Sequence, residues 1–381
     1  MDLNRWLQDI HLVVCVGSGG VGKTTTAATF GLWGALHGRK AMVLTIDPAK
    51  RLANSLGLSR FEQEGVRIDL SPLGEARGEL WAMMLDSRAT FDDLIGRIAP
   101  TEEMRDRIFR NGFYQHMSEA FAGTQDYMAT EKIYDIVASE QYDLVVLDTP
   151  PVKNALDFLE SPGRVVNFFD ERVMSWFLPK DNGGVLGGLF AGTSAVVLRL
   201  LAAVFGREFV EEMTELMRDF EELYEGFRKR HDEVLQMFRA EDTAFVTLCA
   251  PTESSIDVAE YFQEELTRRG LPRGGVIVNQ VHRCDGSTHD ADAVLGPVTR
   301  ELGEDLGSAT VSSVLARLGM AHRRLHEIAT SEQALVEQVH RAAAGSGYYQ
   351  EVPRLDTEVN DLPTLYQVGR HLFLEPAEEM G

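Results

Sequence analysis

Short apolar runs rich in β-branched residues alternate along the chain with longer stretches of helical periodicity. That alternation predicts a mostly parallel sheet with helices on both faces. The runs are Leu12 to Val16, Ala41 to Ile46, Leu80 to Leu85, Leu144 to Leu147, Ala244 to Leu248 and Gly275 to Val278. The first and fourth are apolar at nearly every position, as strands covered on both faces must be. Between the first two, Thr24 to His37 reads as a helix that stops before Gly38, a residue type that commonly ends helices in a left-handed turn. The expected fold class is α/β, a doubly wound, mostly parallel sheet.

Two intervals exceed a simple crossover, 86–141 and 161–242, and both are helical in pattern. In the second, apolar residues recur every three or four positions from Phe209 through Met213, Leu216, Phe220, Leu223 and Phe227 to Phe238, giving one stripe on a long helix or a helix pair. The stripe can pack inside a helical subdomain, or it can line a Met- and Phe-rich groove for a hydrophobic client. Val185 to Phe205 is long enough to cross a bilayer. It contains Arg199, Thr193, Ser194 and several glycines, so no stable membrane span is expected.

Composition narrows the partners. Against 37 Lys and Arg stand 59 Asp and Glu, a formal charge of −22 over 381 residues. Binding to nucleic acid by sheer charge is excluded, because phosphate backbones require a basic surface. The three cysteines, Cys15, Cys249 and Cys284, have no paired spacing, and two of them sit in strand-like runs. No disulfide framework follows, and a reducing compartment is expected. The amino terminus, with Asp2 and Asp9 around a short segment, does not read as an export signal, so the expected location is cytoplasmic.

Chemistry concentrates after the first strand. Gly17-Ser18-Gly19-Gly20-Val21-Gly22-Lys23-Thr24-Thr25 satisfies G-x-x-x-x-G-K-[ST], a loop whose backbone N–H groups curl round phosphates at a helix amino end. Lys23 is expected to neutralise the β- and γ-phosphates, and Thr24 to hold Mg²⁺. Gly17, Gly19 and Gly22 also fit the dinucleotide fingerprint G-x-G-x-x-G, with Asp47 placed as the ribose acid. Lys23-Thr24 decides against it, since a cation and a hydroxyl at the helix mouth suit a triphosphate with Mg²⁺. Asp148 ends the run Leu144–Leu147, where a second acid supports Mg²⁺. Asp47 is locked by Pro48 into extended geometry and can orient an attacking water.

GSGGVGKTT at 17–25, TIDPAKRLANSLG at 45–57, DTPPVKNALDFL at 148–159 and VIVNQ at 276–280 together resemble the arsenite-pump ATPase family. The relatives of that family include the ATPases that deliver tail-anchored membrane proteins. VPRLDTEVNDLPTLYQVG, 352–369, is similar to the family's last strand and terminal helix. The resemblance implies one P-loop ATPase domain over 1–381, with the insertions at about 86–141 and 161–242 forming a client- or partner-binding subdomain. It implies ATP or ADP with Mg²⁺ as cofactors and a dimer, of like or related chains, that opens and closes with nucleotide state. It implies that Asp47 polarises water, that the second switch starts at Asp148, and that Asn279 reads adenine.

Departures from the family qualify these expectations. Ser18 stands where the family's phosphate loop carries a second lysine that reaches the partner's nucleotide. Lys50 and Lys153 stand where the targeting ATPases have His and Gly; either can supply the missing charge, or a related subunit can. The family's zinc-binding C-x-x-C is absent, leaving Cys284 near His282, Asp285 and His289. Arsenite transport needs three converging thiols and is not expected. A nucleotide-holding regulatory subunit with little hydrolysis is the competing reading. Plasmid-partition and division-site ATPases are disfavoured by the acidic balance and by a carboxyl end, LEPAEEMG, that is no basic amphipathic helix.

Overall fold

Every residue of β1 (Leu12–Gly17) is buried, and the alternation of its side chains shows how. Val13 and Cys15 face one apolar cluster, while Leu12, Val14 and Val16 face another. A computed structural model of the chain, describing residues 3–46, 51–56, 65–115, 125–150, 199–200, 202–283, 308–343 and 347–373, places this strand inside an eight-stranded sheet. The other strands are β2 (Lys40–Thr45), β3 (Val66–Arg67), β4 (Glu79–Met84), β5 (Leu144–Asp148), β6 (Thr243–Cys249), β7 (Arg273–Val281) and β8 (Tyr349–Pro353). Their order is β3-β4-β2-β5-β1-β6-β7-β8. All pairs are parallel except β3 with β4.

All six predicted strands form, with ends shifted by at most three residues. The sheet winds from β1 outward to β2 and β4, returns through β5, then crosses to β6, β7 and β8 on the other side. β1 therefore lies where the winding reverses, the place in open α/β sheets where ligands bind beyond the carboxyl ends of the strands. The helix after β1, α2 (Lys23–Leu36), begins at that end of the sheet.

Helices cover both faces. On one side, α1 (Leu3–Asp9), α2 and the last helix pack together. There the Trp33 and Phe373 rings stack at 4.7 Å and 4°, with Phe30 edge-on to Phe373. On the other side lie α6 (Gln125–Ala138), the end of α7 (Arg207–Arg239) and α8 (Glu253–Arg269). α3 (Arg51–Ser55) precedes β3, and α4 (Ser87–Ile98) and α5 (Glu102–Arg110) precede α6. The last elements among the described residues are α9 (Ser308–Ala342), β8 and α10 (Leu362–Phe373).

The apolar stripe is carried by one continuous helix, α7, of 33 residues. Leu216, Met217, Phe220, Leu223 and Phe227 are buried against α4, α5 and α6, Met213 is buried as well, and Val234 and Phe238 reach the sheet. From Met213 onward the stripe is therefore interior packing, not an open groove. The contact also carries charge: Arg230 bonds Glu131 at 2.7 Å and Asp135 as well, and lies 3.9 Å over the Tyr134 ring. Pairing satisfies carboxylates that would be costly to bury alone. Of the stretch 185–205, residues 185–198 and 201 lie outside the described residues. Among the described residues no helix is long and apolar enough to cross a membrane.

Candidate phosphate site at the end of strand β1

The turn leaving β1 is shaped by backbone that side chains resist. Gly20 has φ 79° and Gly22 φ 92°, in the left-handed region where glycine is at ease. A methyl group on Gly22 would also overlap the Asn279 side-chain amide. α2 then starts with Thr26 N–H bonded to Gly22 O at 2.9 Å, and its first turn carries no acid. The helix amino end thus presents its N–H groups and the positive end of its dipole to the loop.

Lys23 is 6% exposed. Its ammonium donates to Gly17 O at 3.0 Å and to Ser18 O at 2.7 Å, which holds a fixed positive charge within the loop. Thr24 and Thr25, the next residues of α2, are half-buried. Gly19 and Gly20 are exposed and Val21 is buried, so the loop is open to solvent at its tip and anchored in the core behind it. Ser18 does not extend outward: its Oγ lies 2.9 Å from Ser255 Oγ on α8. Ser255 Oγ also accepts the Ala250 N–H at 3.0 Å.

Asp148, at the end of β5, is 1% exposed. It pairs in register with Cys15 on β1 and with Thr45 on β2, and the Thr45 hydroxyl donates to its Oδ2 at 2.9 Å. The adjacent Thr149 hydroxyl donates to Cys15 O at 2.7 Å. The Thr24 hydroxyl and the Asp148 carboxylate are oxygen donors, the ligand chemistry that Mg²⁺ prefers. Asp47, Lys50 and Lys153 lie outside the described residues. Ile46, just before Asp47, bonds its N–H to Asp148 O at 3.3 Å.

Asn279 stands at the end of β7 and donates its amide to Val21 O at 2.9 Å. Its neighbour Gln280 donates to Gly20 O at 2.9 Å. Sequence reasoning did not find Gln280, Ser255 or Thr45 as site residues; Gln280 and Thr45 lie inside the quoted motifs, while nothing in the chain near Ser255 signals its contact. His282 gives its backbone N–H and its Nδ1 to the Glu332 carboxylate at 2.9 and 2.7 Å. Cys284, Asp285 and His289 lie outside the described residues, and among the described residues no three His, Cys, Asp or Glu side chains gather to hold a metal.

Cys15 and Cys249 are buried on neighbouring strands, but Cys15 pairs in register with Val246, so the two thiols do not converge. Burial holds the Cys15 thiol well above its usual range, with Asp148 adding to the effect and Lys23 opposing it. Burial also pushes the Cys249 thiol up to about 12. The thiolate is the reactive form, so at neutral pH neither residue should be alkylated in the folded chain. Peptide mapping after iodoacetamide treatment checks this: both should label only once the protein is unfolded, and labelling of either in the native state contradicts it.

Residues 10–290 match the family described as anion-transporting ATPase. The chain is 27% identical over 266 residues to the ATPase GET3 of Podospora anserina, covering 70% of this chain and 71% of that one. It is 27% identical over 282 residues to the ATPase GET3 of Malassezia globosa, covering 72% and 73%. Over 266 residues it is 27% identical to the ATPase get3 of Neurospora crassa, covering 70% and 71%.

Proposed function

Because the chain belongs to the anion-transporting ATPase family and is an ATPase, we propose that Gly17–Thr25 holds Mg-ATP and that hydrolysis opens and closes a dimer in the cytoplasm. The observation that carries this reading is the buried Lys23 ammonium inside a loop of left-handed glycines, at the mouth of α2 and at the point where the sheet reverses. In it, loop N–H groups and Lys23 stabilise charge on the β- and γ-phosphates, Asp47 orients the attacking water, and Asn279 meets the adenine edge. Phosphoryl transfer to water requires positioning and charge stabilisation more than covalent assistance. Thr24 and Asp148 would hold Mg²⁺, whose charge offsets that of the phosphate oxygens.

The client surface we assign outside the α7 stripe. Leu200, Val204 and Phe205, just before α7, are 63%, 73% and 59% exposed, and the Phe205 ring stacks on Phe209 at 5.1 Å. An apolar patch of this kind suits a hydrophobic client, as in the targeting ATPases that the sequence resembles.

Ser18 favours a second reading, a nucleotide-holding subunit that hydrolyses little by itself. Its hydroxyl is engaged with Ser255 and it brings no cation to a partner. Phosphate release by the pure chain over a range of protein concentrations separates the two, together with mass measurement in Mg²⁺ and a non-hydrolysable ATP analogue. The dimeric ATPase predicts turnover per chain that rises with concentration and a mass that doubles with the analogue. Retained ATP with no phosphate release at any concentration favours the regulatory subunit.

A further inference from the structure

A cradle for phosphates works only if its N–H groups are held pointing inward before the ligand arrives, since otherwise binding must also order the loop. In a trans peptide the C=O and the following N–H point in opposite directions within one rigid plane. Pinning the carbonyl of one residue from outside therefore fixes the N–H of the next. Two such pins are present: Gln280 Nε2 on Gly20 O and Asn279 Nδ2 on Val21 O, each at 2.9 Å. Because both partners are carbonyls, only the NH₂ side of each amide can serve, which settles the orientation of both groups.

Consecutive residues of a regular strand point to opposite faces and could not both reach one loop. β7 breaks that rule where it matters. Its register with β8 shifts between Val278 and Val281, and Gln280 takes φ 63°, a left-handed conformation otherwise seen among the described non-glycine residues only at Glu140. A bulge re-aims side chains in this way, and a strained backbone persists when its surroundings hold it. The far side of the bulge is tied to α9 through His282 and Glu332.

We propose that Asn279 and Gln280 are positioning residues for the phosphate loop, fixing the N–H groups of Gly22 and Val21 through the carbonyls of Val21 and Gly20. This rests on the reading of Gly17–Thr25 as the triphosphate cradle. Gln280 touches no substrate and acts through the loop. Asn279 spends one amide hydrogen on Val21; its second hydrogen and its Oδ1 stay available to a purine edge, so base recognition and loop geometry are coupled through one side chain.

Inorganic tripolyphosphate has no base and separates the two roles. Calorimetry with Mg-tripolyphosphate and with Mg-ATP on the full chain compares the parent with Asn279→Ala, Gln280→Gly and Gln280→Glu. Gln280→Gly removes the amide while relaxing the left-handed backbone; Gln280→Glu keeps the shape and loses the donor. Loss of one hydrogen bond predicts that Gln280→Gly weakens both ligands by the same factor, about fivefold, with melting temperature unchanged or raised, and that Gln280→Glu, which also adds a negative charge beside the loop, weakens both by more. Asn279→Ala should weaken tripolyphosphate by about fivefold and ATP by more. Parental tripolyphosphate affinity in the Gln280 variants overturns the proposal for Gln280. Parental tripolyphosphate affinity in Asn279→Ala makes that residue a base reader alone. A parent chain that takes up neither ligand sinks the cradle itself.

Discussion

Replacing Lys23 with Ala should lower ATP hydrolysis by about a thousandfold, the scale of removing a preorganised charge from a transition state. The ammonium is buried, fixed by two loop carbonyls, and sits at the start of a helix whose first turn carries no acid to offset it. The carbonyls it leaves belong to buried Gly17 and half-buried Ser18, and the space that the side chain vacates next to the exposed Gly19 and Gly20 lets water take over their hydrogen bonds. The fold should therefore survive, with a melting temperature within about 5 °C of the parent. Lys23→Met, which keeps the stem, should lose the activity equally and separate charge from packing. Phosphate release and thermal unfolding monitored by circular dichroism check both halves. A Lys23→Ala protein that turns over at the parental rate would place hydrolysis somewhere else in the chain.

The residues that were legible in the sequence are those whose type is forced by local physics. β1 and β5 are covered on both faces and so read as unbroken apolar runs. Gly20 and Gly22 need left-handed backbone, and Lys23 and Thr24 need a cation and a hydroxyl at a helix mouth. Edge elements gave weaker signals. β3 is two residues long, and β8, at the sheet's end, mixes Tyr, Gln and Glu because most of it is only half-buried. The long helix α9 was not assigned from the sequence; in it Val314, Leu318 and Met320 are exposed, and near its end Val336 and Val339 enter the core. Val314, Leu318, Leu325 and Ile328 do recur at helical spacing, so the element was readable as an apolar stripe although most of that stripe is exposed.

The same distinction runs through the site. Ser18, Gly20 and Val21 meet Ser255, Gln280 and Asn279 from more than 230 positions away, so no local pattern announces those contacts. Ser18 shows the consequence. As a loop residue it reads only as a missing lysine, while the fold supplies it with a partner on α8. The stripe on α7 was legible as a stripe, but its fate was not: whether such a face meets core or client depends on where α4, α5 and α6 fall.

Asp148→Asn tests the other half of the site, and it should cost hydrolysis about a hundredfold or more while leaving nucleotide binding largely in place. The substitution keeps shape and burial, but an amide has one acceptor oxygen where the carboxylate has two, and it carries no charge. The Thr45 hydroxyl can still donate to the remaining oxygen, so the β2–β5 contact and the fold are preserved. What is lost is the negative charge at the end of β5, beside Cys15 and two residues short of the phosphate loop. If that charge supports Mg²⁺, the variant should need a higher Mg²⁺ concentration for half-maximal rate, and its ATP affinity without Mg²⁺ should equal the parent's. Loss of the carboxylate should also lower the Cys15 thiol from its raised position, because Asp148 is one of the two causes holding it there. Titrating Mg²⁺ against initial rate decides the matter. A reduced rate with an unchanged Mg²⁺ requirement would make Asp148 an anchor for β2 and the switch that follows, and an unchanged rate would remove it from the site.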